Sequence, residues 1–175
     1  MRDSQHIPVD IRPWSDRDLE LLEQLMGDPV MTEYLGGPET SQKIRERHER
    51  YCRSSQSGLE SMFVVVVGME RATAGSIGYW QKEWQGQQVW ETGWSVLPKF
   101  QGQGIATRAI AKIVERAGGE RKHRSLHAFP SVDNAPSNAI CRKVGFTLQG
   151  QVDFEYPLGH PMRCNDWCLD LFATV

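Results

Sequence analysis

The sequence reads as an α/β (α+β) protein: a mixed, mostly antiparallel sheet with helices on both faces. Three observations carry that reading. Strand-length apolar or alternating segments recur at residues 62–67, 74–83, 89–97, 126–129, 146–152 and 163–171. Helix-like segments lie between them at 105–117 and 134–143, and two more precede residue 54. The 175 residues contain no repeat, low-complexity tract or linker, so 1–175 is read as one domain.

Taken in order, Ile7, Val9 and Ile11 alternate with polar residues as a first strand, which Pro13 ends. Ser15 suits an N-cap, with Asp16 and Asp18 in the first turn beside the positive end of a helix dipole. Leu19, Leu22, Leu25 and Met26 continue at helical spacing until Gly27-Asp28-Pro29. A short segment, 30–35, and the loop "GGPETS" lead to a second helix over 41–53 and a turn, "SSQSG". The valine-rich run 62–67 has the β-branched composition of a buried strand. "QGQQ" (85–88) connects the next two strands as a hairpin, and Pro98 breaks the second of them. After the helix at 105–117, "GGERKH" (118–123) reads as a basic turn.

Composition excludes several classes. With 20 basic and 22 acidic residues the formal net charge is −2, which gives no footprint for nucleic acid. No apolar run approaches the ~20 residues that cross a bilayer, and "MRDSQHIPVD" lacks the apolar stretch of a signal peptide, so the protein is expected in the cytoplasm. Cys52, Cys141, Cys164 and Cys168 are then free thiols, and no Cys/His spacing describes a metal site.

The stretch Gln101-Gly102-Gln103-Gly104-Ile105-Ala106 joins a strand to a helix. Glycines there let backbone N–H groups approach a ligand, and the helix start offers unpaired donors and a partial positive charge. That suits a phosphate or pyrophosphate. There is no GxxxxGK[ST], and no GxGxxG followed by an acidic residue, so neither a Walker loop nor a dinucleotide fold is indicated. About 30 residues on comes "NAPSNAICRKVGF" (134–146).

The two motifs together resemble the GNAT superfamily of acyl-CoA N-acyltransferases. Gln101, Gly104 and Ala106 match its Q/R-x-x-G-x-G/A loop, and Asn134, Ser137, Lys143, Gly145 and Phe146 match its later motif. "ETGWSVLPKFQGQGIATRAI" and "NDWCLDL" are similar to the branch holding ribosomal-protein N-terminal acetyltransferases and small-molecule-modifying relatives. The resemblance implies a GNAT-type fold, acetyl-CoA as donor, and transfer to a primary amine. The acceptor expected is a small or amino-acid-like amine, with a protein or peptide N-terminus as the rival. A non-catalytic acyl-CoA sensor is the alternative of another class. Exposed edge strands near the C-terminus leave room for a homodimer.

The resemblance also implies site residues. Main chain from Gly102 to Thr107, with Gln101, Gln103, Gly104, Ile105 and Ala106, would hold the pyrophosphate, and Arg108 could add charge or simply be solvated. Trp94, Ser95 and Val96 would line the pantetheine arm, with the Val96 N–H aimed at the thioester oxygen. Asn134 would bond the pantetheine, or serve as a helix N-cap, and Ser137 would lie near the cofactor. Cys141 stands where many members have the tyrosine that protonates the leaving thiolate; Cys141, Ser137 or water could act there, or Cys141 could be plain core. Glu91 is the first candidate base and His127 the second. Trp80, Trp84, Trp90 and Trp94 would pack the core or wall the acceptor pocket. Residues 154–160, with Glu155 and Tyr156, resemble the family's variable acceptor loop.

Overall fold

The computed structural model describes residues 7–173. Seven strands form one sheet: β1 (Val9–Pro13), β2 (Glu60–Val67), β3 (Ala72–Trp84), β4 (Gln87–Val96), β5 (Ser125–Ala128), β6 (Thr147–Glu155) and β7 (Pro161–Asp170). Their spatial order is β1-β2-β3-β4-β5-β7-β6, and every neighbouring pair is antiparallel except β4–β5. A parallel pair needs a crossover, which the helix α3 (Ile105–Glu120) supplies. The other helices are α1 (Leu19–Met26), α2 (Ser41–Arg53) and α4 (Ala135–Val144). None of the helices among the described residues is long and apolar enough to cross a membrane.

The valine run explains how the layers assemble. Alternation along β2 sends Phe63, Val65 and Val67 into the core beneath α3 and α4. It sends Met62, Val64 and Val66 to the opposite face, against Leu21, Leu22 and Leu25 of α1 and Ile44 and Tyr51 of α2. A strand buried on both sides has no polar alternation, and this one reads as a continuous apolar run. Leu22, Leu25, Ile110 and Ile113 are fully buried, each worth ~2 kcal/mol in removed apolar surface.

Local signals mostly fall where the pattern places them. Ser15 opens a capping box, but over a short 3-10 turn, Asp16–Asp18, that precedes α1. Asp18 is buried there by the Arg12 guanidinium at 2.7 Å. Two expectations are corrected. β1 begins at Val9 rather than Ile7. The basic turn expected at 118–123 is shorter, because α3 runs on through Gly118 and Gly119 to Glu120. Tertiary contact overrides the low helix propensity of glycine here. A side chain at 118 would meet the Leu171 carbonyl oxygen at 3.4 Å, and the Glu120 carboxylate accepts from the Tyr79 hydroxyl.

On the α1/α2 face the β6–β7 hairpin curls back over the sheet toward β3. β6 lies four strand steps from β3, roughly 19 Å in a flat sheet. Yet the Phe154 ring centre is 4.6 Å from Lys82 Nζ. The hairpin turn reaches further still: Arg47 of α2 donates to the Tyr156 hydroxyl at 2.9 Å. Pro157 sits on Gly36 of the α1–α2 loop so closely that a Cβ at 36 would lie 2.5 Å from the Pro157 ring, and Gly36 also has φ +83°. Glycine is required there on both counts. The result is a roof over part of the sheet.

Candidate active site

Beneath that roof the sheet opens. The β4–β5 ladder has two pairs, Trp90↔Leu126 and Glu91↔His127. β4 continues to Val96, but β5 ends at Ala128. The chain beyond β5 follows β7 instead: the Val132 N–H donates to Arg163 at 3.0 Å, and the Asn165 N–H to Pro130 at 2.9 Å. The two parallel strands therefore splay from a vertex at Glu91 and His127. Trp94, Ser95 and Val96 lie along the side of β4 that has lost its β5 partner. An extended chain carrying carbonyl and amide groups can occupy such a cleft.

At the far end of β4 the glycine loop is held rigidly. Gln101 Nε2 donates to the Val96 carbonyl at 2.8 Å, and Gln103 Nε2 to the Lys99 carbonyl at 3.0 Å. Gly104 is the N-cap of α3 in the left-handed region, φ +70°, and no side chain caps the helix. The first-turn N–H groups of a 16-residue helix, at Ile105, Ala106 and Thr107, thus lack a side-chain acceptor. A Cβ built on Gly102 or Gly104 meets nothing within 4 Å, so the loop surface is open to a ligand. Arg108 is half-buried beside the loop. Its guanidinium donates to the carbonyls of Gly104, Gln103 and Ile7 at 3.2, 2.8 and 2.8 Å, fastening the loop.

On the other bank of the cleft stands the N-terminus of α4. Asn134 is its N-cap, with Oδ1 accepting from the Ser137 N–H at 3.2 Å. The capping role is thus filled by the oxygen, and Nδ2 is the group left for another partner. Ser137 is half-buried in the first turn. Cys141 is 0% exposed among core residues, and burial pushes its thiol up to about 12. It packs as a small apolar side chain. Asn138, which the sequence reading passed over, anchors the helix: Nδ2 donates to the carbonyls of Ser131 and Asn134, and Oδ1 accepts from Asn165 and from the Trp167 indole at 2.8 Å. Asn138→Leu is expected to destabilise the fold by ~3 kcal/mol, because it leaves a buried indole N–H and carbonyl unpaired; chemical denaturation measures this.

The vertex holds the titratable groups. Lys82, Glu91, His127 and Asp166 all point to the roofed face. Burial raises the Glu91 carboxyl, against the opposing pull of Lys82 Nζ at 3.2 Å and of nearby His127. His127 Nδ1 lies 2.6 Å from Asp166 Oδ1, with both side chains nearly buried. A carboxylate accepts only, so the proton sits on Nδ1. Burial alone would lower the His127 pKa; the bond to Asp166, with a contribution from Cys168, overcomes it and carries His127 to about 9. His127 is therefore the imidazolium at neutral pH, which counts against it as the resting base. Asp166 Oδ2 accepts in turn from the Trp84 indole at 3.0 Å. Phe129 stacks on His127 and on Phe154, and Lys82 lies over the rings of Trp84, Phe129 and Phe154.

The four strand tryptophans divide. Trp80 and Trp84 face the roofed side, and Trp90 and Trp94 belong to the core under α3. Asp166 and Lys82 were missed from sequence. The available signal was an acid two residues from each of two cysteines on one strand, a pattern that places Asp166 on their face.

A splayed parallel pair, an uncapped helix start at one end and a carboxylate at the vertex define a site for a long, phosphate-ended donor beside a proton acceptor. Residues 9–147 match the family model for the acetyltransferase (GNAT) domain, and the chain belongs to that family. It is accordingly an acyltransferase with acetyl-CoA as donor. The chain is 23% identical over 165 residues, 94% of its own length and 91% of the other, to the uncharacterized N-acetyltransferase YnaD of Bacillus subtilis. The fold is similar to an acetyltransferase of Salmonella typhimurium that modifies the N-terminal serine of ribosomal protein L7/L12, with TM-score 0.76, 20% identity and 93% and 94% of the two chains covered. It is equally similar to spermidine N-acetyltransferase of Vibrio cholerae in complex with CoA and spermine, with TM-score 0.76, 16% identity and coverage of 93% and 95%.

Proposed function

We propose that this protein transfers the acetyl group of acetyl-CoA to a primary amine by direct attack, and that the acceptor is a small or amino-acid-like amine. Acetyl-CoA is a substrate here, and the chain's task is to hold and orient it. Main-chain N–H groups over 102–107, those of Gln103 and Ile105 among them, receive the pyrophosphate, and Gln101, whose own N–H is bonded to the Pro98 carbonyl, braces the turn. The exposed side of Trp94, Ser95 and Val96 aligns the pantetheine, and the Asn134 amide group meets it from the opposite bank. Val96, five residues and roughly 17 Å along β4 from Glu91, meets the donor nearer its pyrophosphate end than its thioester, which lies toward Glu91. An incoming amine is mostly protonated at neutral pH, since unperturbed values run from about 8 for α-amino groups to about 10.4 for lysine. Glu91, raised by burial yet still paired with Lys82, is the base that takes its proton.

The observation that carries this reading is the cleft itself, with the uncapped α3 start at its mouth and Glu91 at its closed end. The roof favours a small acceptor, because Phe154 packs beside Lys82 and Phe129 at the vertex while Tyr156 and Pro157 tie the hairpin turn to α2 and the α1–α2 loop. Relatives of the same fold act on a polyamine and on a protein N-terminus, so the test spans both. Acetyl-CoA binding is read by calorimetry. Release of CoA thiol is then followed with spermidine, free amino acids, aminoglycosides and short peptides. Turnover of a small amine with little on peptides is expected; efficient turnover of peptides alone would assign the rival acceptor. Binding without turnover of any of these would favour the sensor.

A further inference from the structure

Cys141, buried in the core, is withdrawn from the departing thiolate, and the vertex supplies a proton donor other than the Ser137 hydroxyl. We propose that His127 is the general acid of the transfer, and that Asp166 and Trp84 are the residues that position it. This rests on the acetyltransfer reading above. His127 sits at the last rung of the β4–β5 ladder, where the cleft closes and where a thioester lying along β4 ends. Its Nδ1 is committed to Asp166, whose second oxygen is held by the Trp84 indole. That chain of bonds fixes the ring plane and leaves Nε2 as the nitrogen able to give a proton. Phe129, stacked on the ring at an interplanar angle of 13°, restricts its rotation.

The step balances. The incoming ammonium first gives one proton to Glu91, which releases it to water; the neutral amine nitrogen then attacks the thioester carbonyl carbon, forming C–N, and its second proton passes to Glu91. When C–S breaks, the sulfur takes the Nε2 proton of His127 and leaves as CoA thiol. Glu91 and His127 are direct partners across the ladder, so the proton held by Glu91 can return to His127 and both groups are restored. The same adjacency explains why one vertex carries both roles. The charged and titratable groups around His127 are Glu91 from β4, Asp166 and Cys168 from β7, Cys164 beside Glu91, and Lys82 from β3; β6 contributes the uncharged Phe154.

The test combines two readouts on the full chain. NMR of labelled histidine titrates His127 directly and needs no acceptor. The pH dependence of kcat from pH 6 to 10 is measured with the amine that turns over best in the panel above. In the wild type, activity should fall on the alkaline side as His127 loses its proton, with a limb that coincides with the NMR titration. Asp166→Asn should move limb and titration together to lower pH, a shift that a purely structural role would not produce, and Trp84→Phe should likewise move limb and titration by the same amount. His127→Gln should lower kcat at least 10-fold, abolish the limb and leave acetyl-CoA affinity unchanged. The proposal is overturned if the limb survives in His127→Gln, if limb and titration move apart in Asp166→Asn, or if Ser137→Ala removes the limb instead. A wild type that binds acetyl-CoA and titrates as described but acetylates no probe would overturn the acetyltransfer reading, and the acid role with it. Wild-type turnover with an unshifted limb would overturn the acid role alone.

Discussion

Gly104→Glu is expected to weaken acetyl-CoA binding at least 100-fold while the protein stays folded. Position 104 has φ +70° and an empty surround, so the new side chain costs ~1 kcal/mol of backbone strain and meets no clash. Its carboxylate then stands at the uncapped start of α3, where the pyrophosphate is proposed to lie. Two like charges ~4 Å apart near a protein surface repel by about 4 kcal/mol, which corresponds to ~1,000-fold. Gly104→Ala carries the strain without the charge, and because the strain falls on free and bound protein alike its binding should stay close to that of the wild type. Calorimetry on the three proteins, with circular dichroism as the check on folding, separates the terms. Equal binding by wild type and Gly104→Glu would remove the loop from the cofactor site.

Glu91→Gln should lower kcat by about 100- to 1,000-fold, the range of a positioned general base, and leave acetyl-CoA affinity unchanged. The pH dependence carries the sign. Burial raises the Glu91 carboxyl above its ordinary value, so the base form is present at neutral pH and is lost as pH falls through that raised value. The wild type should therefore lose activity on the acid side earlier than an exposed glutamate would dictate. Lys82 opposes the shift from 3.2 Å, so Lys82→Met should move the acid limb to higher pH. A full-rate Glu91→Gln enzyme would end the base assignment and leave the family membership intact.

Much of this architecture was legible because strong local signals agree with tertiary needs. The valine run of β2, the proline after β4 and the glycine at 104 each allow few alternatives, and the strands and helices they delimit lie where the pattern puts them. Gly118-Gly119 misled, since a glycine pair reads as a break unless one knows that Leu171 presses against it. The glycine loop and the Asn134 motif were visible because they are contiguous in sequence. The vertex was visible only in part. Glu91 and His127 stood out by type and strand position, but their adjacency depends on a parallel pairing two rungs long, and Asp166 joins them from a strand near the C-terminus. Nor could the sequence tell whether Cys141 faces the cleft or the core, because on a short helix both faces are apolar enough.

The roof has a consequence for how this protein could diversify. The groups proposed to touch the donor lie in one continuous stretch, residues 94–137. What closes over the acceptor comes from elsewhere: Gly36 and Arg47 before that stretch, Phe154 to Pro157 after it, joined by a hydrogen bond between residues 109 positions apart. Lengthening or re-sequencing the β6–β7 turn, or the α1–α2 loop beneath it, would change which amines are admitted without disturbing the register of the acetyl donor. A layout of this kind lets one inherited donor cassette be paired with many entrances.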